Sequence, residues 1–438
     1  MGVFSPLDEE LELLPGGLTP SLVEGLVRLG AWLPFAPAAA LLAHFSKVPV
    51  AEATARRRTE QAGAAYVEVQ TAEVEALERE LPAAPEGPAV QQLSVDGAMV
   101  PLVGGRWGEV KLLAIGTVGA PVWDDGEWVA HTGELSYFGR MAEAEVFGRL
   151  ATVETHRRGT ERAGRVCAIM DGAEWQQGFV DLHRPDAVRI LDFPHAAEYV
   201  AEAGQAVLGA GTETTARWLA ERLHELKHGQ EQAVLGVLAE LRQRVATAGL
   251  GEALEVVETS LGYLEKRREQ LRYAEFQAQG YPIGSGAVES GNKLVTEARL
   301  KGAGMHWAPG HVNPMVALRT LVCSDRWEAG WGRISARLRA QAHERTRARR
   351  VARQQARRAV VEAGLAPAAE SGEPGAEPAP APVVRLRPGR PTVRAEAPPE
   401  RHAAPSPRAA PARPRRPAAN HPWRRMPIGR ARSSQAAS

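Results

Sequence analysis

The chain predicts an α/β fold, a mixed sheet flanked by helices. Three observations carry that expectation. Strand-like runs at 92–100, 107–118 (WGEVKLLAIGTV) and about 127–138 follow one another directly. A helix at about 140–157, a strand at 165–170, a short helix near 173–182 and a strand at 187–193 then alternate, so the order is β-β-β-α-β-α-β. Residues 196–279 become almost wholly helical before Gly280, Pro282, Gly284 and Gly286 break the pattern. A meander followed by alternating α and β elements gives a sheet with antiparallel and parallel parts.

The remaining elements follow in chain order. Residues 1–81 read as an N-terminal helical domain, with Leu22, Val23, Leu26, Val27 and Leu29 at helical spacing. A break at Lys47–Val50 separates AAALLAHF from a helix carrying Arg56, Arg57 and Arg58, a helix-turn-helix-like pattern that suits DNA contact and equally suits a helical hairpin with a solvated arginine face. Residues 82–91, rich in Pro, Ala and Gly, read as a linker. The sheet domain then spans 92–330, with its helical insertion at about 196–279 and a last helix from about 311 to 323. Residues 331–362 read as a basic helix. Residues 363–438 are Pro-, Ala- and Arg-rich with almost no aliphatic side chains, and they are expected to be disordered.

The net charge of +1 hides a division. Residues 331–438 hold 23 Arg and 7 Glu, a net +16, which leaves −15 on residues 1–330. A basic end on an acidic body suggests a polyanionic partner. The two cysteines, Cys167 and Cys323, are far apart and lack CxxC spacing, which argues against a disulfide framework or zinc-thiolate site and fits a reducing cytoplasm. No apolar run reaches membrane-spanning length, and the N-terminus is acidic rather than signal-like.

Three carboxylates stand in distinctive settings: Asp96 in LSVDGAMV, Asp171 in VCAIMDGAEW and Glu289 in YPIGSGAVESGNKLV. Asp96 shares a strand face with Ser94 and Ala98, opposite Leu93 and Val95. Asp171 ends a run typical of a buried strand, where α/β sheets place their ligands. An Asp before Gly is also an ordinary turn residue. Glu289 lies just inside a helix start, with Asn292 and Lys293 on the same face. It could also be a plain surface Glu–Lys pair. If the three converge they can hold two divalent metal ions, the arrangement that cleaves and joins phosphodiesters without a covalent protein intermediate. Trp175, one turn after Asp171, would roof such a site or serve as an ordinary core tryptophan. Asp192 and His195 form DFPH at the end of the last strand, as active-site support or as a hydrogen-bonded strand end. His224–Glu225–Leu226–Lys227–His228 matches the HExxH zinc-protease pattern. Against it, Lys227 places a charge inside a motif that is normally buried, and Gly229 fits a helix cap.

Taken in order, LSVDGAMV, AIMDGAEW, ILDFPHAAEY, YPIGSGAVESGNK and KGAGMHW resemble the DDE transposases of bacterial insertion sequences. The nearest group is the ISKra4 family, more distantly related to Mutator-like and hAT-like elements, and the resemblance covers about residues 4–331. It implies an RNase H-like sheet with a helical insertion before the last catalytic residue. It implies Asp96, Asp171 and Glu289 as the catalytic, metal-holding triad, with two Mg²⁺ ions for which Mn²⁺ can substitute. Asp192 and His195 correspond to the Asp/Cys-x-x-His motif of the related elements. Arg56, Arg57, Arg58, Lys293 and Arg299 become candidate phosphate contacts, and Asn292 a supporting residue. The implied partners are terminal inverted repeats and target DNA, bound by a homo-oligomer in a bacterial, nucleoid-associated, cytoplasmic setting. Relatives begin with a cysteine-rich, zinc-ribbon-like segment ahead of FSPLDEELELLPGG, which this sequence does not show, and that bears on end-specific DNA binding. The other expectations are a truncated or inactive DNA-binding remnant and a different RNase H-like nuclease.

Overall fold

The computed structural model describes residues 18–124 and 126–362. The N-terminal residues through 17 and the proline- and arginine-rich segment 363–438, expected to lack order, lie outside the described residues. The chain divides into two units, Met1–Val351 and Ala352–Ser438. The packing that follows lies within the first.

The α/β architecture is as the element order predicts. Among the described residues three helices lead: α1 (Pro20–Trp32), α2 (Phe35–Ser46) and the long α3 (Glu52–Glu80). Next come β1 (Val90–Pro101), β2 (Trp107–Val118), β3 (Val122–Asp124), β4 (Glu127–Val129) and β5 (Thr132–Arg140). Helix α4 (Ala144–Arg157), β6 (Arg165–Met170), α5 (Glu174–His183) and β7 (Val188–Leu191) complete the sheet region. The helical insertion holds α6 (Phe193–Leu208), α7 (Glu213–Lys227), α8 (Glu231–Thr247), α9 (Gly251–Lys266) and α10 (Tyr273–Ala278). Helix α11 (Gly286–Gly291) runs into a π-helical turn (Asn292–Glu297) and a short α12 (Ala298–Leu300), followed by α13 (Pro309–Cys323) and α14 (Trp327–Glu362).

The five-stranded sheet has the order β5-β2-β1-β6-β7. Strand β1 pairs antiparallel with β2, and β2 with β5, while β1–β6 and β6–β7 are parallel. The run read as one strand over 127–138 is divided: β4 turns away to pair with β3 in a separate hairpin, and β5 starts afresh at Thr132. Alternation along the strands separates two apolar faces. Leu93, Val95, Leu113, Ile115, Ala168 and Met170 pack with Phe147, Phe179 and Val180 from α4 and α5. On the opposite face, Cys167, Ile169 and Ile190 meet the insertion helices, and Leu112 and Ala114 meet Val288 and Val295. Gly291 permits that last contact, because a Cβ there would stand 2.7 Å from the Tyr137 ring and 3.0 Å from Leu112.

The leading helices share a core with the chain's far end: Leu26, Val27 and Tyr66 pack with Leu318, Leu321, Trp327 and Ile334. Buried arginines reinforce the junction. Arg319 donates to the carbonyls of Ala31 and Val295 at 3.1 and 3.3 Å, and also to Leu294. Arg140 donates to the Gln70 side chain on α3 and to the Gly139 carbonyl at 2.8 Å.

Candidate active site at the β1–β6 strand ends

Asp96 and Asp171 occupy the same sheet face. The parallel ladder pairs Leu93 with Ala168, three residues ahead of each aspartate, and the two carboxylates are near enough for the Asp171 charge to act on Asp96. The ladder ends at the Leu93–Ala168 pair, and the Gln176 side chain takes over from it. Its Nε2 donates to the Val95 carbonyl at 3.0 Å, while its Oε1 accepts from the Gly172 and Ala173 N–H groups at 3.1 and 3.2 Å. One amide thus satisfies three buried backbone groups where the strands separate. The sequence signal for it was modest: Gln176 holds the third position of helix α5, where a side chain reaches back to the preceding turn.

Asp96 is held on both oxygens, by the Gly97 N–H and by Asn292 Nδ2, each at 2.7 Å. Burial pushes its carboxyl above the usual range, and the nearby Asp171 charge adds to that rise against the lowering effect of these hydrogen bonds. Asp171 accepts from the Ala173 N–H at 3.1 Å, so it also shapes the turn after β6.

The turn after Asp171 is clamped from the insertion. Tyr263 of α9 donates to the Asp171 carbonyl, and Arg267 donates twice to the Gly172 carbonyl, at 3.1 and 2.6 Å. Arg267 lies 3.7 Å over the Tyr263 ring, whose stacking partner is Tyr199 at 4.0 Å. Gly172 has φ +86°, and a Cβ there would collide with Arg267 and stand 2.8 Å from the Tyr263 hydroxyl. Sequence reasoning missed Tyr263 and Arg267, which lie about ninety residues beyond Asp171 with no local pattern marking them.

Asp192 caps helix α6, accepting from the His195 N–H at 3.2 Å, and it fixes the Gly-rich turn by accepting from the Ser285 N–H at 2.6 Å. Burial pushes its carboxyl up to about 6, although those bonds favour the charged form. The His195 ring lies 3.5 Å from Glu198. Burial pulls its pKa down, but Glu198, Asp171 and Asp192 together raise it above the ordinary value. The DFPH strand end therefore ties β7 to the segment that leads into Glu289.

Glu289 stands at the rim. Its carboxylate pairs with Lys293, and both side chains are about 60% exposed or more. Asn292, at the start of the π-helical turn, reaches inward, with its Oδ1 buried and without a hydrogen-bond partner. Among the described residues, no group of three or more His, Cys, Asp or Glu gathers closely enough to hold a metal ion. Burial and the Asp171 charge both disfavour the ionised form of Asp96, an effect that a hard divalent cation between two carboxylates would offset.

Two expected site residues lie elsewhere. Trp175 does not roof Asp171. It packs edge-on against Phe147 at 6.0 Å on the opposite sheet face, because α5 crosses to that side. Arg299 is 1% exposed, donates to the Gly30 carbonyl and sits between Phe35 and Trp307, so it is not presented to a phosphate. Arg56, Arg57 and Arg58 lie in the first turns of α3, which follows α2 after the break at residues 47–51. In the HExxH stretch, Lys227 pairs with Glu127, Glu225 accepts from Arg222, and Gly229 closes α7 with φ +81°. These residues likewise form no metal-holding group of three among the described residues. No helix among the described residues is long and apolar enough to cross a membrane. No protein-family model and no curated protein matches the chain.

Proposed function

We propose that this protein is a DDE transposase with an RNase H-like catalytic domain, cutting DNA at element ends and joining it to target DNA. The observation that carries the reading is the nearness of Asp96 and Asp171 just past the end of the β1–β6 parallel ladder, with Asn292 of the Glu289 segment hydrogen-bonded to Asp96. A mixed sheet with an all-helical insertion ahead of Glu289 supports the same reading. Asp96 and Asp171 would hold a pair of Mg²⁺ ions, with Glu289 completing the set by leaving Lys293. When bound, such ions activate a water or 3′-hydroxyl and stabilise the departing 3′-oxygen. Within the chain, Asn292 and the Gly97 N–H fix the Asp96 carboxylate. Gln176, Tyr263 and Arg267 fix the Asp171 turn, and Asp192 fixes the turn that aims Glu289.

The Glu289–Lys293 pair favours one second reading, DNA binding without catalysis. A single assay separates the two: incubation of the full chain and Mg²⁺ with duplexes spanning both flanks of its gene. Strand cleavage followed by strand-transfer products, abolished by Asp171→Asn, supports the transposase. Binding without cleavage in Mg²⁺ or Mn²⁺ supports the second reading. Cleavage of branched structures with no strand transfer points to another RNase H-like nuclease.

A further inference from the structure

Helices α3 and α14 run antiparallel in contact. Arg333 pairs with Glu73, and Arg337 and Gln341 both reach Glu68. Each helical turn along α14 therefore meets an earlier turn of α3. One to two turns further on, the complementarity ends. The stripe Arg337–Gln341–Arg345–Arg349 continues at four-residue spacing, but α3 now offers Arg57 and Arg58. The neighbouring acids are already engaged: Glu60 with His311 and Arg56, and Glu344 with Arg337. Arg345 and Arg349 are exposed and have no ion pair among the described residues. The Nε of Arg58 is buried without a hydrogen-bond partner, and its guanidinium is held below the ordinary pKa by burial first, then by Arg57 and Arg345. Cations brought together without an acid cost free energy unless a polyanion joins them.

We propose that α3 and α14 form one phosphate-binding seam, Arg57 and Arg58 on one side and Arg345 and Arg349 on the other, whose occupant is the backbone of duplex DNA. The proposal deepens the transposase reading by placing the DNA, and it rests on that reading for the identity of the polyanion. A membrane surface does not fit. Trp327, Trp331 and Ile334 of α14 are spent in the core with Leu338 packed against it, and residues 341–350 carry no large apolar side chain, which leaves Val351 as a lone exposed one beside the stripe. Guanidinium forks suit phosphate oxygens, and a row along a helix gives backbone contacts without base readout.

The test is fluorescence anisotropy of the full chain with a labelled random-sequence duplex, free of divalent metal, across a salt series. Arg345→Ala/Arg349→Ala is expected to weaken binding about tenfold and to flatten the slope of log affinity against log salt by about 2, near one per lost phosphate contact. Arg57→Ala/Arg58→Ala is expected to do the same. The first pair lies on an exposed helix face, so an unchanged thermal melt is expected to exclude misfolding. Wild-type affinity and slope in both variants would overturn the seam. So would displacement of the duplex by polyglutamate or by RNA at lower concentration than by unlabelled duplex. Because no cleavage is read, a chain that binds through the seam but never cuts DNA leaves the seam standing and removes the catalytic reading. Cleavage with unchanged binding in both variants does the reverse.

Discussion

Gln176 shows how one side chain can hold a strand end open. It bonds one carbonyl and two N–H groups beyond the end of the β1–β6 ladder. Gln176→Ala strands the Val95 carbonyl and the Gly172 N–H, while the Ala173 N–H keeps Asp171, and urea unfolding is expected to show a loss of about 2–3 kcal/mol. Asn292 acts on charge. Its hydrogen bond favours the ionised form of Asp96, so Asn292→Ala should raise the Asp96 pKa further and move the acid limb of a cleavage pH profile to higher pH. Asp192 gives a stability signature. Its folded pKa, pushed up to about 6 by burial, lies above the ordinary carboxylate value, so between the two the folded state binds the extra proton. Stability should therefore fall as pH rises from about 4 through 6, by roughly 3 kcal/mol for a shift of about two units. Chemical denaturation across that range is expected to show the fall in the wild type and a flatter profile in Asp192→Asn.

Among the elements, the insertion does more than cover the sheet. Helix α9 presents Tyr263 and Arg267 to consecutive carbonyls of the Asp171–Gly172 turn. Tyr263→Phe and Arg267→Ala should each lower the cleavage rate while leaving DNA affinity unchanged. Their combined effect should fall short of the sum of the two, because both restrain one turn. Equal loss of rate and of DNA affinity would instead make α9 a DNA-binding element. Arg299 and Arg319 do the corresponding structural task at the N-terminal array, meeting the Gly30 and Ala31 carbonyls at the end of α1. Arg299 read as a phosphate contact because sequence displays its charge and hides the Phe35 and Trp307 rings that enclose it.

Over the whole molecule, legibility followed the range of the interactions. Sheet strands, insertion helices and the break after 279 came from local periodicity and Gly/Pro punctuation, and they match the structure closely. The nearness of Asp96 and Asp171 is legible in the sequence only as convergence, since parallel register is set by long-range pairing. Of the two readings of Trp175 the core one holds, because helical spacing from Asp171 does not say which side of the sheet α5 crosses. Tyr263 and Arg267 have no local signal, and α3 and α14 are legible only as two separate basic helices, since their pairing depends on contacts between segments far apart in the chain. The central claim is that the β1–β6 strand ends form a divalent-metal centre. The most direct measurement is Mn²⁺ titration of the full chain with bound duplex DNA, followed by electron paramagnetic resonance. The account predicts Mn²⁺ binding by the wild type, weakened about tenfold or more in Asp96→Asn and in Asp171→Asn, and retained in Lys293→Ala. Mn²⁺ affinity unchanged by both aspartate substitutions would contradict it.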